Sequence, residues 1–243
     1  YGFDKAIFGF GTDASGRTGS TNLVSSSGVV ASDVSAVGTA RNGPMATGYG
    51  SDLALFAFGN TGSNVNTRNL VNNSGVVASD ATGAGTARFS GDAVRYGSAG
   101  QAVIAFGGRG GDANTDNVSN LVSSVGVVAS DTSGVGTARI YIGAVSYGGD
   151  KGLFGYGEAS GAAVSMTNKI SNTGVVASDI TGIAQARKSL GAAGYGGDKG
   201  IFAFGTGNSR TNLVSNTGVV AAEVSAVGST REDTTAGGFS TSA

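Results

Sequence analysis

Short apolar runs alternate with glycine- and serine-rich stretches along the whole chain, and the same order of segments returns five times. A tyrosine–glycine pair opens each copy, and successive copies start 47 to 51 residues apart. The copies span residues 1–48, 49–95, 96–146, 147–194 and 195–243. A period of this length is typical of propellers, solenoids and other arrays of one supersecondary unit. Because the copies follow one another without a linker, we predict a single domain over residues 1–243.

Each copy contains four segments that predict β-strands, named here a to d. Strand b is a glycine-bounded apolar run in which a small residue alternates with a ring, as in Leu55–Phe58, and such runs indicate strands buried on both faces. Strand c starts at Asn-Leu-Val or its equivalent, and strand d runs from Val-Val to an arginine. Strand a carries an alanine before the next aromatic–glycine pair. Many glycines and a single proline favour tight hairpins between unbroken strands.

The chain starts with strand b and ends with strand a, and this order favours a closed ring. Phe239 follows Arg231 by eight residues, which is the spacing between arginine and aromatic in the other copies. Residues 232–239 therefore predict a strand a without its own strand b. Pairing it with strands b, c and d of the first copy would remove two exposed sheet edges. We predict an all-β fold, namely a five-bladed β-propeller of four-stranded antiparallel blades closed in this way, with a β-solenoid as the alternative.

The order of arginine, strand a, aromatic–glycine pair and strand b resembles the kelch repeat, and Tyr195–Gly205 is its nearest match in this sequence. The copies are still more similar to the glycine-rich, kelch-like repeats of predicted bacteriophage virion and tail proteins. This resemblance covers all five copies and implies a propeller and a virion or extracellular location. The kelch diglycine survives at Gly107-Gly108 alone and the usual tryptophan is missing. The resemblance therefore implies no particular kelch activity.

Ten charged residues occupy the same places in the five copies. An acid lies eight residues before the repeated arginine and eleven residues after the repeated asparagine. The pairs are Asp33 and Arg41, Asp80 and Arg88, Asp131 and Arg139, Asp179 and Arg187, and Glu223 and Arg231. We predict structural ion pairs that bridge neighbouring blades or fix the corner between strands d and a. The alternative is a set of five carboxylates that converge on an axial ligand or ion.

Sequence and length vary between the copies in two places, the b–c loop and the connection from strand d to strand a. Alternate connections of an antiparallel meander lie at the same end of the sheet, so both places share one face. Variable loops on a rigid scaffold predict a binding surface, and the alternative is drift in loops where insertions cost little. The candidate ligand-binding residues of this face are Arg17, Arg68, Phe89, Arg109, Tyr141, Lys188 and Arg210.

The composition removes several kinds of chemistry. The chain contains neither histidine nor cysteine, which excludes Ser-His-Asp and Cys-His catalysis as well as disulfides. A formal net charge of −1 offers no electrostatic footprint for nucleic acid, and the apolar runs are too short to insert into a membrane. We expect no enzymatic activity and no cofactor. Asp112, Asn114 and Asp116 form a calcium-loop candidate without the glycine and distal glutamate of an EF-hand, and a solvated polar loop is the alternative.

Together these features predict a non-enzymatic recognition or structural module, and the resemblance implies that it is associated with a virion or its tail. Its variable face would contact a protein receptor or another virion protein. The alternative is a carbohydrate-binding propeller, which needs rings that stack on sugar faces, and Phe89 and Tyr141 are the rings in the d–a connections. The chain opens at Tyr1 without a basic and apolar leader, which favours a segment excised from a longer protein over a processed mature form.

Overall fold

A computed structural model describes residues 1–2, 4–110 and 114–237 of the protein, and these residues form β-strands without any helix. Every strand pairing is antiparallel. In chain order the strands are β1 (Ala6–Asp13), β2 (Gly16–Val24), β3 (Met45–Tyr49), β4 (Leu53–Ala57), β5 (Thr67–Val71), β6 (Ala81–Thr82), β7 (Asp92–Tyr96), β8 (Gln101–Gly108), β9 (Thr115–Val122), β10 (Gly143–Tyr147), β11 (Lys151–Gly155), β12 (Glu158–Ala159), β13 (Ala162–Ala163), β14 (Thr167–Ile170), β15 (Gly191–Tyr195), β16 (Lys199–Ala203) and β17 (Thr211–Val214). The fold is all-β, as predicted. Within the described ranges no helix has the length and hydropathy that a membrane span requires.

The strands form five successive sheets and one short hairpin of β12 and β13. Sheet 1 contains β1 and β2, and sheet 2 has the order β3-β4-β5-β6. Sheets 3, 4 and 5 have the orders β7-β8-β9, β10-β11-β14 and β15-β16-β17. In sheets 2 to 5 the first strand comes from the end of one repeat, and the next two come from the start of the following repeat. This is the predicted order of strands a, b and c.

Strand d is less regular than the sequence predicts. Among the described residues, sheet 2 alone has a fourth strand, the two-residue β6, and the other d segments touch strand c through isolated bridges. In the third repeat these bridges join Val122 to Val128 and Ser119 to Thr132. The segments consist mainly of glycine, serine, alanine and threonine, which offer little side-chain surface to hold a regular ladder. The prediction of four-stranded blades is therefore wrong outside sheet 2.

The hydrophobic core lies between successive sheets. Three edge-to-face ring pairs cross these interfaces with centroid distances of 5.1 to 5.5 Å, and they are Phe10 with Phe56, Phe106 with Phe154, and Tyr156 with Phe202. The first strands of neighbouring sheets also pack together, β3 against β7, β7 against β10, and β10 against β15. Each sheet therefore depends on its neighbours to bury its apolar surface.

The predicted closure of the ring is not among the strand pairings of the described residues. Residues 232–237 form no strand, and β1 pairs with β2 alone. Phe8 of β1 is 49% exposed, whereas Phe154 and Phe202 at the same place in sheets 4 and 5 are fully buried. Phe239 lies outside the described residues. Closure by residues 232–239 thus stays a prediction, and within the described residues one edge of sheet 1 is unpaired.

The backbone at the last ring of strand b does not continue the regular strand conformation that the alternating pattern predicts. In all five repeats this ring has a φ of 61 to 64°, and the glycine after it has a φ of 106 to 119°. The rings are Phe10, Phe58, Phe106, Tyr156 and Phe204. A left-handed backbone costs a residue with a side chain about 1–2 kcal/mol. Contacts made by the ring must offset this cost. The contact that all five rings share is the one with the repeated arginine of the same copy.

Candidate functional site

A buried arginine joins each pair of neighbouring sheets. The guanidinium carbon of Arg139 lies 4.3 Å from the centre of the Phe106 ring in its own repeat. In the next sheet, Nη2 of Arg139 donates to Oδ1 of Asn168, and Nη1 lies 3.4 Å from Oδ1 of Asp179. We call this set of ring, arginine, asparagine and acid the junction clasp. It fixes one sheet to the next through a desolvated, charge-assisted contact.

The other three junctions have the same arrangement. The arginine–acid pairs are Arg41 with Asp80, Arg88 with Asp131, Arg139 with Asp179 and Arg187 with Glu223, with N–O distances of 3.4 to 3.9 Å. The asparagines of the four clasps are fully buried, and they are Asn69, Asn120, Asn168 and Asn212. Asn69 also donates to Asp80 at 2.8 Å and to the carbonyl of Ala78 at 3.0 Å. Each asparagine therefore accepts a hydrogen bond from its arginine and donates one to a carbonyl of strand d in its own repeat.

The acid and arginine that lie eight residues apart in one repeat do not pair with each other. Eight residues of extended chain span roughly 26 Å, and the first four of the five arginines pair instead with the acid of the following repeat. The clasps thus bridge neighbouring sheets, which was one of the two predicted structural roles. Among the residues that the structure describes, no group of three or more acidic side chains could hold a metal ion. The alternative of carboxylates converging on an axial ion gains no support from this geometry.

The clasp residues remain charged at neutral pH. Burial lowers the pKa of Arg41, Arg88 and Arg139 to about 10, and the neighbouring carboxylates act in the opposite direction. For Asp80, burial raises the pKa, but hydrogen bonds from Thr39 and Asn69 and the charge of Arg41 lower it overall. The pKa values of the other clasp acids are lowered by a similar balance. These groups bind one another within the protein and serve its structure, although Nε of Arg41, Arg139 and Arg187 and Nη1 of Arg187 are buried without a hydrogen bond among the described residues.

The b–c loop and the d–a connection meet at one end of each of sheets 2 to 5. Backbone hydrogen bonds join Asn42 to Asn60, Phe89 to Gly108, Ile140 to Glu158 and Lys188 to Thr206. The two parts of the repeat that vary in sequence and length therefore lie side by side. We call this end of the sheets the variable face, and it includes the b–c loop of sheet 1, where Arg17 contacts Asn60.

Three of the predicted ligand-binding residues are exposed, and among the described residues the side chain of each binds one other side chain. Arg17 donates to Asn60 at 2.9 Å, Arg109 pairs with Asp116, and Arg210 pairs with Glu223. A guanidinium carries five N–H donors, so one contact orients the side chain and leaves other donors for a ligand. The variable face thus presents oriented cationic groups on sheets 1, 3 and 5.

The other four predicted residues are half-buried. Arg68 lies within β5 and donates to the carbonyl of Thr82 at 3.0 Å, so it belongs to its own sheet. Phe89 takes part in the backbone pairing of the variable face. Lys188 binds Glu158 and lies 5.5 Å from the centre of the Tyr141 ring. The junction of sheets 4 and 5 therefore contains a packed cluster of Lys188, Glu158 and Tyr141.

The calcium-loop candidate does not come together as a site in the described residues. Asp116 is 5% exposed, and its carboxylate binds the guanidinium of Arg109. Asn114 is exposed, and Asp112 lies outside the described residues. The carboxylate best placed to bind a cation is therefore already paired.

Asp92 is a titratable group that sequence reasoning missed. It begins β7, where the corresponding residues of the neighbouring sheets are Met45 and Gly143. The backbone N–H of Ala93 donates to its Oδ1 at 2.8 Å. Although part of the Asp92 surface is exposed, burial of its carboxyl raises the pKa to about 7, and hydrogen bonds from the Ala93 and Ala144 backbones act against this. Asp92 is the single acid among the first strands of sheets 2 to 5, and this was the available sequence signal.

We expect Asp92→Asn to change how stability depends on pH. Between about pH 4 and pH 7 the unfolded chain has lost the Asp92 proton while the folded chain keeps it. The parent protein should therefore become less stable as the pH rises through this window. The variant should lack this part of the loss and melt several degrees higher than the parent at pH 8, with a smaller difference at pH 4. Melting curves at pH 4, 6 and 8 measure this, and parallel pH profiles would contradict it.

Comparison with known proteins bears on the fold alone. The structure of YjhT is similar to this protein, with a TM-score of 0.73 over 96% of this chain and 84% of that chain. The two sequences are 11% identical. No family model matches the sequence, and no curated protein matches it significantly.

Proposed function

We propose that the five sheets are the blades of a β-propeller and that the variable face binds another protein. The observation that carries this proposal is the pairing of the b–c loops with the d–a connections at the same end of four sheets. It gathers the variable parts of every repeat onto one surface, while the junction clasps hold the sheets beneath it. Loops on a rigid scaffold are the usual place for recognition.

A radial arrangement is supported by the way the sheets pack. The first strands lie side by side through four sheets, and the core is found between sheets, as expected when blades surround a central axis. The exposed arginines of the variable face suit a protein surface that carries carboxylates. On the resemblance of the repeats to those of predicted bacteriophage proteins, we further propose that the module belongs to a virion or its tail and acts without enzymatic chemistry.

A protein partner is favoured over a glycan by the state of the two candidate rings. Phe89 and Tyr141 are both half-buried, and Lys188 lies over the Tyr141 ring. A sugar-binding site needs a ring face open to the ligand, and neither residue has its whole side chain exposed. The three exposed arginines offer charged groups that suit a protein surface.

The proposal predicts binding of the fluorescently labelled protein to intact bacteria from a panel of strains. Treating the cells with protease should abolish the binding, and oxidising their glycans with periodate should leave it unchanged. The double variant Arg17→Ala/Arg210→Ala should bind at least tenfold more weakly because it removes two oriented cations from the variable face. Flow cytometry measures each result.

The matched control is Lys151→Ala/Lys199→Ala, which removes two cations from the opposite ends of the sheets. These lysines are 42% and 43% exposed, and the double variant should bind like the parent protein. Binding that is lost with periodate and kept with protease would favour the carbohydrate-binding alternative. Equal loss in both double variants would contradict the role of the variable face.

A further inference from the structure

Sheet 1 carries a junction clasp that lacks its arginine. Asn22 donates to Asp33 at 2.7 Å and to the carbonyl of Ala31 at 3.1 Å, as Asn69 does to its own acid and carbonyl. Among the described residues, no arginine binds this pair. Asp33 is exposed and Asn22 is partly exposed, whereas the asparagines of the four complete clasps are fully buried. The receiving half of a fifth clasp is therefore already formed.

Sheet 5 carries the complementary half. The guanidinium carbon of Arg231 lies 3.8 Å from the centre of the Phe204 ring. The N–H of Gly205 donates to the carbonyl of Arg231 at 3.0 Å, and the corresponding bond from Gly107 to Arg139 measures 2.9 Å. Arg231 is exposed, and in the described part of the chain it has no asparagine or acid partner. The ring and arginine thus have their usual arrangement without a sheet to bind.

The chain after Arg231 is also in place for a following sheet. A Cβ added to Gly191 of β15 would lie 3.4 Å from the Cβ of Ala236. A Cβ added to Gly143 of β10 would lie 3.3 Å from the Cβ of Ala192, which belongs to the first strand of the next sheet. Residues 234–236 therefore lie beside β15 as the start of a sixth sheet would. They do not pair with β1.

We infer that the open ends of sheets 1 and 5 bind one further copy of the repeat, which completes a ring of six sheets. This inference rests on the radial arrangement proposed above. Such a copy would offer a ring-stacked arginine to Asn22 and Asp33, and an asparagine–acid pair to Arg231. It would also supply the strand that pairs with the open edge of β1. Both ends are complementary in charge and shape to a unit of this type, since four equivalent junctions are built in the same way.

The repetition of the clasp favours a further repeat over direct closure at five. Four similar clasps set a similar step between sheets, and the described residues leave β1 unpaired after these steps. Closing the ring at five would require these close-packed interfaces to change their angles, which close packing resists. One further repeat would satisfy both incomplete clasps at once. A whole second copy would bring five sheets to a gap of one repeat.

Engineered cysteines test this inference directly, because the natural chain has none. By the register of sheet 5, where Ala193 pairs with Ile201, Gly237 would pair with Ile7 in a closed ring. We would introduce Ile7→Cys/Gly237→Cys into the five-repeat chain and into a six-repeat chain in which residues 147–194 are inserted a second time after residue 194. Non-reducing electrophoresis and mass spectrometry then measure the intrachain disulfide. We expect it to be at least tenfold more abundant in the six-repeat chain.

The pair Ala193→Cys/Ile201→Cys is the positive control and should cross-link in both chains. An intrachain disulfide between residues 7 and 237 in the five-repeat chain would overturn the inference, because the chain's own end would then fill the β1 edge. An interchain disulfide there would overturn it in favour of a second copy. If neither chain cross-links while the control does, the inference is also wrong.

Small-angle scattering separates that failure from a failure of the propeller itself. A compact five-repeat chain has a radius of gyration of about 18 Å, and a sixth repeat that completes a ring should change it little. A linear array would instead lengthen by one full repeat, and this result would contradict the radial arrangement. A compact six-repeat chain without the disulfide would contradict closure by the sixth repeat alone.

Discussion

Replacing Arg139 with alanine should lower the free energy of unfolding by about 3–5 kcal/mol, because it leaves the partners of a buried charge without their counterpart. The substitution removes the contact with the Phe106 ring and the donors to Asn168 and Asp179. The oxygen of Asn168, which is fully buried, would then lack its donor. For a chain of this length the loss corresponds to a melting temperature lower by about 10 °C. Thermal unfolding followed by circular dichroism measures it.

Arg231→Ala is the matched control, because Arg231 stands at the same place in its repeat but has no sheet to bind in the described residues. It stacks on the Phe204 ring and is otherwise exposed. The variant should change the free energy of unfolding by no more than about 1 kcal/mol, the range of an exposed cation–π contact. If both arginine variants melt alike, the stabilising role of the junction clasp is wrong.

The acid and the arginine of the clasp could be predicted from the sequence, but their pairing could not. Comparison of the five copies identifies the acid and arginine at fixed positions, since each structural contact repeats with the period. The same repetition hides which copy of the acid each arginine binds. Asp131 of its own repeat and Asp179 of the next are equivalent candidates for Arg139 until the sheets are placed in space. The structure selects Asp179.

The strands could be predicted where apolar and small or polar side chains alternate. They could not be predicted in strand d, where most side chains are small. The a, b and c strands follow the apolar pattern, and they pair in the predicted order. Strand d carries Val-Val pairs that favour a strand, yet the first valine of each pair is exposed, as at Val29 and Val76. The left-handed rings such as Phe58 were missed because an aromatic before glycine fits a regular strand equally well. Their conformation depends on the arginine, which is distant in sequence.

The second large effect is expected for Gly107→Ala, which should lower the free energy of unfolding by about 4 kcal/mol. Gly107 has a φ of +115°, a conformation that side chains disfavour by about 1–3 kcal/mol. A Cβ at this position would also lie 2.7 Å from the carbonyl oxygen of Phe89 and 3.1 Å from the backbone nitrogen of Gly91. Both atoms belong to backbone that pairs at the variable face, so the contact cannot be relieved by a side-chain rotation. Chemical denaturation with urea measures the change.

Gly11→Ala separates the two causes, because Gly11 is the same position in the first repeat. Its φ is +119°, and a Cβ there would meet no atom within 4 Å. This variant should lose about 1–3 kcal/mol from the backbone conformation alone, and the difference between the two variants measures the steric contact. The open space at Gly11 exists because the described sheet 1 has no preceding d–a connection, whereas Phe89 and Gly91 fill the same place beside sheet 3. Equal losses in the two variants would show that the d–a connection moves away without cost, which a rigid variable face does not allow.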